Sequence, residues 1–276
     1  MLSSIRSHLP RWLGLRTQLR RLFRVDIRSK VPFEHDQFVG AGDFVQNGEV
    51  WFQMFRQHVQ LVPEDVILDV GSGQGRMARP LVGFLSRNTG EYHGLEIVKA
   101  GVDFCHKAYR DQPNFQFHHI PIYNQHYNPS GSTKASEYTF PFPDAHFSLV
   151  ILTSVFTHML QPDLERYCAE IYRVLKPGGR ALVTFFLLDR LSRKSIEGGQ
   201  VRPLLRHKVS QVCCVETPND LEDAVGYDSE YIIDLVTSCG FAEPEIHLGS
   251  WGRSGKRLSY QDVLILRRAC DRSPSS

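Results

Sequence analysis

Apolar runs that alternate with helical patterns dominate the middle of the chain. The runs predict strands over residues 66–70, 91–96, 115–120 and 147–153. The last run is continuously apolar, as expected for a strand that is buried on both faces of a sheet. This alternation predicts an α/β fold with a doubly wound, mostly parallel sheet.

The C-terminal half continues the same pattern with one interruption. Residues 164–175 carry apolar side chains at helical spacing, and a strand over 180–187 follows the turn 176–179. A helix over 228–239 is followed by two runs, 245–251 and 261–266, that predict a closing hairpin and bring the sheet to seven strands. Between strand and helix, residues 189–227 mix charges, glycines and prolines, which predicts an insertion that adds no strand to a sheet.

The N-terminal segment differs from the rest in charge. Residues 1–30 contain seven arginines and Lys30 against Asp26 alone, although the whole chain has a formal charge of only +2. Apolar residues at helical spacing predict a basic amphipathic helix over 11–28. Such a helix can lie on an anionic membrane, pack on its own domain or a partner, or be an organelle transit segment.

The remaining segments complete the predicted organisation. Residues 31–62 are a helical lead-in that includes a lid, residues 63–268 form the main domain with the insertion 189–227, and residues 269–276 are a tail. No apolar run is long enough for a transmembrane span. The body outside residues 1–30 is net acidic, which argues against nucleic acid as a partner. We expect a cytoplasmic protein, and peripheral membrane contact through residues 11–28 is one of the alternatives for that helix.

A glycine turn follows the first strand and carries the most specific chemistry. Asp69 precedes Gly71, Gly73 and Gly75, and a helical pattern begins after the turn. Glycine lets a ligand lie directly on the main chain, and the amides at the start of the predicted helix are expected to point outward as free donors. A dinucleotide fingerprint needs its third glycine one place later and a small residue where Arg76 stands. A carboxylate before the turn also suits a cofactor with an amino or sulfonium cation better than a phosphate.

This stretch resembles motif I of the class I S-adenosylmethionine-dependent methyltransferases. Residues 170–180 are similar to the segment that joins the fourth strand's helix to the fifth strand in the same family, and the resemblance covers roughly residues 50–267. It implies S-adenosylmethionine as the cofactor and methyl transfer as the activity. Glu96, 21 residues beyond Gly75, is expected to bind the ribose. The expected cofactor-binding residues are Asp69, Gly71, Ser72, Gly73, Gly75, Arg76, Glu96, Ile97, Tyr123 and Ser154.

Two positions depart from the family pattern. Pro121 stands where the third strand often ends in an acid that contacts adenine, and Ser148 stands where the fourth strand often has an acid. The first difference suggests that the region of Tyr123 or the main chain replaces the adenine contact.

The expected catalytic residue is His158, because it follows the fourth strand at the edge where α/β sheets place ligand-contacting residues. It could act as the base that accepts a proton from a hydroxyl, or it could only shape the pocket. Further substrate contacts are proposed for Asp43, Phe44, His126, Tyr127, Trp251 and Arg253. The expected acceptor is a small molecule, most specifically a hydroxyl of a sugar or a lipid-linked glycan, because residues 249–251 and 258–262 loosely resemble bacterial glycan and glycolipid methyltransferases.

Alternative functions remain open from the residues alone. The chain could be an NAD-dependent oxidoreductase on a similar sheet, or a non-catalytic protein that binds S-adenosylmethionine and uses its basic helix for interaction. Six cysteines lack C-x-x-C spacing, which predicts free thiols in a reducing compartment and no metal site. The sequence gives no prediction of the oligomeric state.

Overall fold

A computed structural model describes residues 25–26, 30–38, 40 and 42–270. Most of the predicted basic helix lies outside the described residues. Val25–Asp26 (β1) pair as a strand with Val31–Pro32 (β2), so the helix predicted over 11–28 does not extend through this pair. Lys30 directly precedes β2, and its ammonium donates to the carbonyl of Ala108 and to Asp111, both at 2.9 Å.

Five helices and eleven further strands make up the described fold. The helices are α1 (Phe44–His58), α2 (Lys99–Ala108), α3 (Gln161–Val174), α4 (Arg190–Glu197) and α5 (Ser229–Ser238). The strands are β3 (Val66–Val70), β4 (Glu91–Glu96), β5 (Phe115–His119), β6 (Phe147–Leu152), β7 (Leu175–Phe185), β8 (Leu187–Leu188), β9 (His207–Lys208), β10 (Cys213–Thr217), β11 (Asp220–Asp228), β12 (Glu245–His247) and β13 (Asp262–Arg267). No helix among these residues is both long and apolar enough to cross a membrane.

The central sheet has seven strands in the order β12-β13-β7-β6-β3-β4-β5. Strands β7, β6, β3, β4 and β5 pair in parallel, whereas β13 pairs antiparallel with both β7 and β12. This arrangement confirms the predicted doubly wound sheet and its closing hairpin. The carboxyl ends of β3, β4 and β6 meet at one edge, which is where α/β sheets bind their ligands.

The segment after the glycine turn differs from the prediction. The turn does not open a regular helix, because only a short 3₁₀ helix, Arg79–Leu81, forms there. Pro80 lies within it, has no amide hydrogen and restricts the residue before it, so a continuous α-helix is not favoured. The strand β7 also begins at Leu175, earlier than predicted, because Leu175 pairs with Phe147 across an irregular register.

The prediction that the insertion adds no strand to a sheet was wrong. A second, four-stranded sheet in the order β8-β11-β10-β9 takes β9, β10 and most of β11 from it, and α4 also lies within it. The buried side chains of Val215 and Val225 face each other across β10 and β11, and Cys213 faces Tyr227. All four join the main apolar core. Each apolar position in β10 alternates with a more exposed one, a period of two that the flanking charges obscure.

Ser148, one of the two departures from the family pattern, has a structural role. Its hydroxyl donates to Asp65 at 2.6 Å, and Arg180 forms an ion pair with the same carboxylate at 2.6 Å. Both oxygens of Asp65 therefore have partners, and Arg180 lowers its pKa despite the burial that acts the other way. The arrangement ties the start of β3 to β6 and β7.

Candidate active site

The glycine turn after β3 requires glycine for both conformation and space. Gly71, Gly73 and Gly75 all have positive φ, between 55° and 77°. A Cβ on Gly71 would lie only 2.4 Å from a methyl carbon of Val155, so a larger residue does not fit there. The sequence-based interpretation of this stretch as a tight turn is confirmed.

The amides of this turn are used within the protein. Gly71 and Ser72 donate to the carbonyl of Leu95, Gly75 donates to that of Ser72, and Gly73 donates to Glu96. These four amides are therefore not free to bind a pyrophosphate, which corrects the expectation of outward-pointing donors. Bonded amides beside the carboxylate of Glu96 fit a ligand that brings its own donors and positive charge.

Glu96 presents a fixed carboxylate at the end of β4. One oxygen accepts from the amide of Gly73 and the other from that of Val98, both at 2.7 Å. Burial raises the pKa of the carboxyl, while the backbone bonds act in the opposite direction. Each oxygen can accept a further hydrogen bond, so Glu96 can bind the two neighbouring hydroxyls of a ribose.

Asp69 lies behind the turn and does not line the cavity. One of its oxygens accepts from the hydroxyl of Tyr92, and the other is buried without a hydrogen-bond partner among the described residues. Burial raises the pKa of this carboxyl to about 7, and the charge of Glu96 acts in the same direction. An unpartnered buried oxygen is stabilised by a nearby cation, which fits a cofactor with an amino or sulfonium group.

A cavity opens at the carboxyl edge of the sheet and contains most of the predicted site. The predicted residues that line it are Gly71, Ser72, Gly73, Arg76, Glu96, Ile97, Tyr123, Tyr127, Ser154 and His158. The predicted residues absent from its wall are Asp43, Phe44, Asp69, Gly75, His126, Trp251 and Arg253. Ser154 has a left-handed backbone, with φ of 59°, and its amide donates to Thr184 at 2.8 Å.

The segment before α1 closes one side of the cavity. Phe38 lines the wall, its amide donates to Gln74, and Gln74 donates to the carbonyl of Asp36. Phe38, in the segment predicted to include a lid, therefore reaches the cavity. Phe44 is buried and lies 5.5 Å from the guanidinium of Arg76. Asp43 caps α1 by accepting from the amide of Gln46.

His158 has a geometry that defines its protonation. Its Nδ1 lies 2.9 Å from the carbonyl oxygen of Glu222, and its Nε2 lies 3.5 Å from the hydroxyl of Tyr127. Because a carbonyl can only accept a hydrogen bond, Nδ1 carries the proton and Nε2 keeps the basic lone pair. Burial lowers the pKa of His158, so the ring is neutral near pH 7. Nε2 can therefore accept a proton.

Several cavity residues were not predicted from the sequence. Glu222 comes from β11 of the second sheet, Trp51 from α1, and Asp163 from α3. Glu222 accepts from the amide of Gln125, and burial raises the pKa of its carboxyl. Nothing in the local pattern around these residues indicates that they reach the cavity, because only the packing of distant segments brings them there. His126 instead faces outward and pairs with Asp220 at 3.1 Å.

Trp251 and Arg253 hold the fold together rather than lining the cavity. Arg253 is almost completely buried and pairs with Asp262 at 2.7 Å and with Asp189 at 2.8 Å. The indole nitrogen of Trp251 donates to Asp262 at 2.7 Å. The expected substrate wall is thus replaced by a buried ionic link between the hairpin and the second sheet.

Comparison with known proteins agrees with this geometry. The family model described as "Methyltransferase domain" matches residues 68–183. Phthiotriol/phenolphthiotriol dimycocerosates methyltransferase 1 of Mycobacterium ulcerans (strain Agy99) is 29% identical over 127 residues, which are 46% of this chain. The chain spans only 39% of that relative's length.

Two solved structures share the fold over nearly the whole chain. The PH0226 protein from Pyrococcus horikoshii OT3 has a TM-score of 0.55 and 15% identity, with 91% of this chain and 98% of that chain covered. The 1,6-didemethyltoxoflavin-N1-methyltransferase of Burkholderia thailandensis has a TM-score of 0.51 and 13% identity, with 96% and 93% covered. The matched segment therefore carries an S-adenosylmethionine-dependent methyltransferase domain, and the two solved structures share its fold. This confirms the class of enzyme and the fold predicted from the sequence.

Proposed function

We propose that the chain transfers a methyl group from S-adenosylmethionine to a hydroxyl of a small, sugar-containing or lipid-linked acceptor. When bound, S-adenosylmethionine supplies a methyl group that is activated by a positively charged sulfur. Glu96 would bind the ribose hydroxyls, and Asp69 would stabilise the positive charge. The remaining contribution of the protein is to orient the acceptor and to accept its proton.

The observation that carries this proposal is the basic Nε2 of His158 at the cavity wall. A hydroxyl must lose its proton as its oxygen forms the new bond to carbon, and a neutral imidazole is a suitable acceptor. The resulting imidazolium would keep its hydrogen bond from Nδ1 to the carbonyl of Glu222. Tyr127 lies within reach of the same nitrogen and could hold the acceptor hydroxyl near it.

Two further observations support the class of acceptor. The wall beyond the glycine turn is rich in apolar side chains, among them Trp51, Ile122 and Met159, which suits a partly apolar molecule. The relative from Mycobacterium ulcerans is by its name a methyltransferase of phthiotriol and phenolphthiotriol dimycocerosates. The syllable "triol" in both names denotes hydroxyl groups.

The rival functions predict different ligands or different turnover. The bonded amides of the glycine turn give no support to dinucleotide binding, so we expect S-adenosylhomocysteine to bind and NADH not to bind. A non-catalytic protein would bind the same cofactor without consuming it. Calorimetric titration followed by an assay of S-adenosylhomocysteine release, with glycolipids, sugars and phenols as acceptors, separates all three.

The test of the mechanism is the replacement of His158. We expect His158→Gln to lower turnover by about 100-fold or more, the usual contribution of a general base, and to change the affinity for S-adenosylhomocysteine by less than about twofold. Because burial lowers the pKa of His158 below 6.5, wild-type activity should persist below that pH and fall as the ring becomes protonated.

The matched control for this test is His207→Ala, since His207 is exposed on β9. It should leave both turnover and cofactor affinity unchanged. Equal turnover in wild type and His158→Gln would reduce His158 to a packing role. Failure of the wild-type chain to bind S-adenosylhomocysteine would remove the proposed function itself.

A further inference from the structure

A cluster of histidines lies on the central sheet at the end opposite to the cavity. Glu91 and His93 share one face of β4, two residues apart, and His146 lies just before β6. Glu91 is five residues from Glu96 along the same strand, which corresponds to roughly 16 Å. The cluster is therefore separate from the cofactor site.

The side chains converge closely. One ligand atom each from Glu91, His93 and His146 lies within 4.8 Å of the other two. The Nε2 of His93 is 3.0 Å from the carboxylate of Glu91, and its Nδ1 is 3.5 Å from Nε2 of His118 on β5. The ring of His146 has no hydrogen-bond partner among the described residues, although its backbone amide is fixed by the carbonyl of Val174 at 2.8 Å.

We propose that Glu91, His93 and His146 bind a divalent transition-metal ion, Zn²⁺ in the first place. Two imidazole nitrogens and one carboxylate oxygen are a ligand set that Zn²⁺ uses, with a fourth position left for water. When Zn²⁺ binds Nε2 of His93, the single proton of the neutral ring moves to Nδ1, which donates it to the unprotonated Nε2 of His118. An acceptor for the remaining ring hydrogen orients a metal-bound histidine.

The surroundings of the cluster favour a defined site over a loose surface contact. The rings of Phe142 and Phe147 stand edge-on to His93, each with its centroid 5.5 Å away, and His93 is buried. The side chain of Glu91 is 46% exposed, which gives an ion a path from solvent and lets the carboxylate rotate towards it. Aromatic walls restrict the imidazole, and the exposed carboxylate completes the coordination.

The sequence did not indicate this site, because its ligands come from β4 and from the residue before β6, which are far apart in the chain. A second group of the same composition, His58, Glu245 and His247, satisfies the same distance limit between α1 and β12. It is more exposed, and within the described part of the chain no further histidine donates to or accepts from its rings. This group serves as an internal comparison.

The test is titration of the tag-free, chelator-treated chain with Zn²⁺, read by competition with a chromogenic chelator, and with Co²⁺, read by visible absorption. We expect one ion per chain and a rise in melting temperature with the ion present. Glu91→Gln and His146→Ala should each weaken Zn²⁺ binding by about 100-fold or more, and His118→Phe by about 10- to 100-fold.

Two controls keep the test specific. His119→Ala alters the exposed neighbour of His118 and should leave Zn²⁺ affinity unchanged, as should His58→Ala. Unchanged affinity for S-adenosylhomocysteine in every variant would show that the fold is intact. The proposal would be overturned if wild type did not bind Zn²⁺, or if Glu91→Gln and His146→Ala bound Zn²⁺ as tightly as wild type does. A loss of Zn²⁺ affinity confined to His58→Ala would also overturn it.

Discussion

At the scale of single residues, Asp69 behind the glycine turn is a buried carboxyl with a shifted pKa. Burial raises its pKa to about 7 from a usual 3.8. Between these two values the folded chain therefore binds a proton that the unfolded chain has released. Stability falls as pH rises through this window and levels off above it.

We therefore expect Asp69→Asn to be more stable than wild type at about pH 8 and similar to it at about pH 4. Asparagine keeps the shape and can still accept from Tyr92, but it has no charge to desolvate. The difference between 3.8 and about 7 corresponds to at most about 4 kcal/mol. Urea unfolding of both proteins at several pH values measures it.

The same substitution should weaken the binding of S-adenosylmethionine, because a neutral amide attracts a cation less than a carboxylate does. Calorimetric titration near pH 8 checks this part. If the two proteins showed the same dependence of stability on pH, Asp69 would titrate as an ordinary carboxyl and the argument would fail.

At the scale of elements, one buried ion pair network joins the hairpin to the second sheet. Asp262, in β13, is fully buried and accepts from Arg253, Trp251 and the amides of Gly249 and Leu187. Burial raises the pKa of Asp262, while the charge of Arg253 acts against it. The network stabilises the arrangement only while all partners are present.

We expect Arg253→Ala to lower the free energy of unfolding by about 3–5 kcal/mol, the usual cost of leaving one member of a buried ion pair uncompensated. The measurement is chemical denaturation at neutral pH. Substitution of Arg193, which pairs with Asp228 at the surface, should cost less than about 1 kcal/mol.

Equal effects of Arg193→Ala and Arg253→Ala would contradict the role assigned to the network. A folded Arg253→Ala that still bound S-adenosylhomocysteine normally would agree with its absence from the cavity wall. Selective loss of acceptor turnover without loss of stability would instead favour the substrate role predicted from the sequence.

At the scale of the whole molecule, the two sheets share one apolar core. Val215 and Val225 of the second sheet belong to the same buried cluster as Leu68 and Val183 of the central sheet. The hydroxyl of Tyr227 also donates to the carbonyl of Met159. Because neither sheet can lose these contacts alone without exposing the core of the other, they should unfold together.

We expect a single cooperative transition in which a local probe and a global probe coincide. Trp251 is buried beside Phe186 in an apolar cluster that also contains Ile196 and Leu205 of the insertion, so its fluorescence reports on that region. In a variant with Trp12→Phe and Trp51→Phe, its fluorescence should follow the same denaturant curve as far-UV circular dichroism. A fluorescence transition at lower denaturant would show that the second sheet unfolds independently.

The sequence by itself determined the central sheet and several of the residues that meet at its carboxyl edge. The informative features are local: continuous apolar runs, a glycine turn with positive φ, and an acid at the end of β4. They depend on neighbouring residues and not on contacts between distant segments. His158 could be proposed in the same way, because the carboxyl ends of neighbouring parallel strands always meet at one edge.

Only the tertiary structure decided what covers and completes that site. Glu222 reaches the cavity from 64 residues beyond His158 in the chain. Arg253 turns inward to Asp262, and the histidine cluster forms from β4 and the residue before β6. These contacts depend on strand pairing and burial between distant segments. Short-range periodicity reports the face of a strand that is buried, but not which distant residue lies against it.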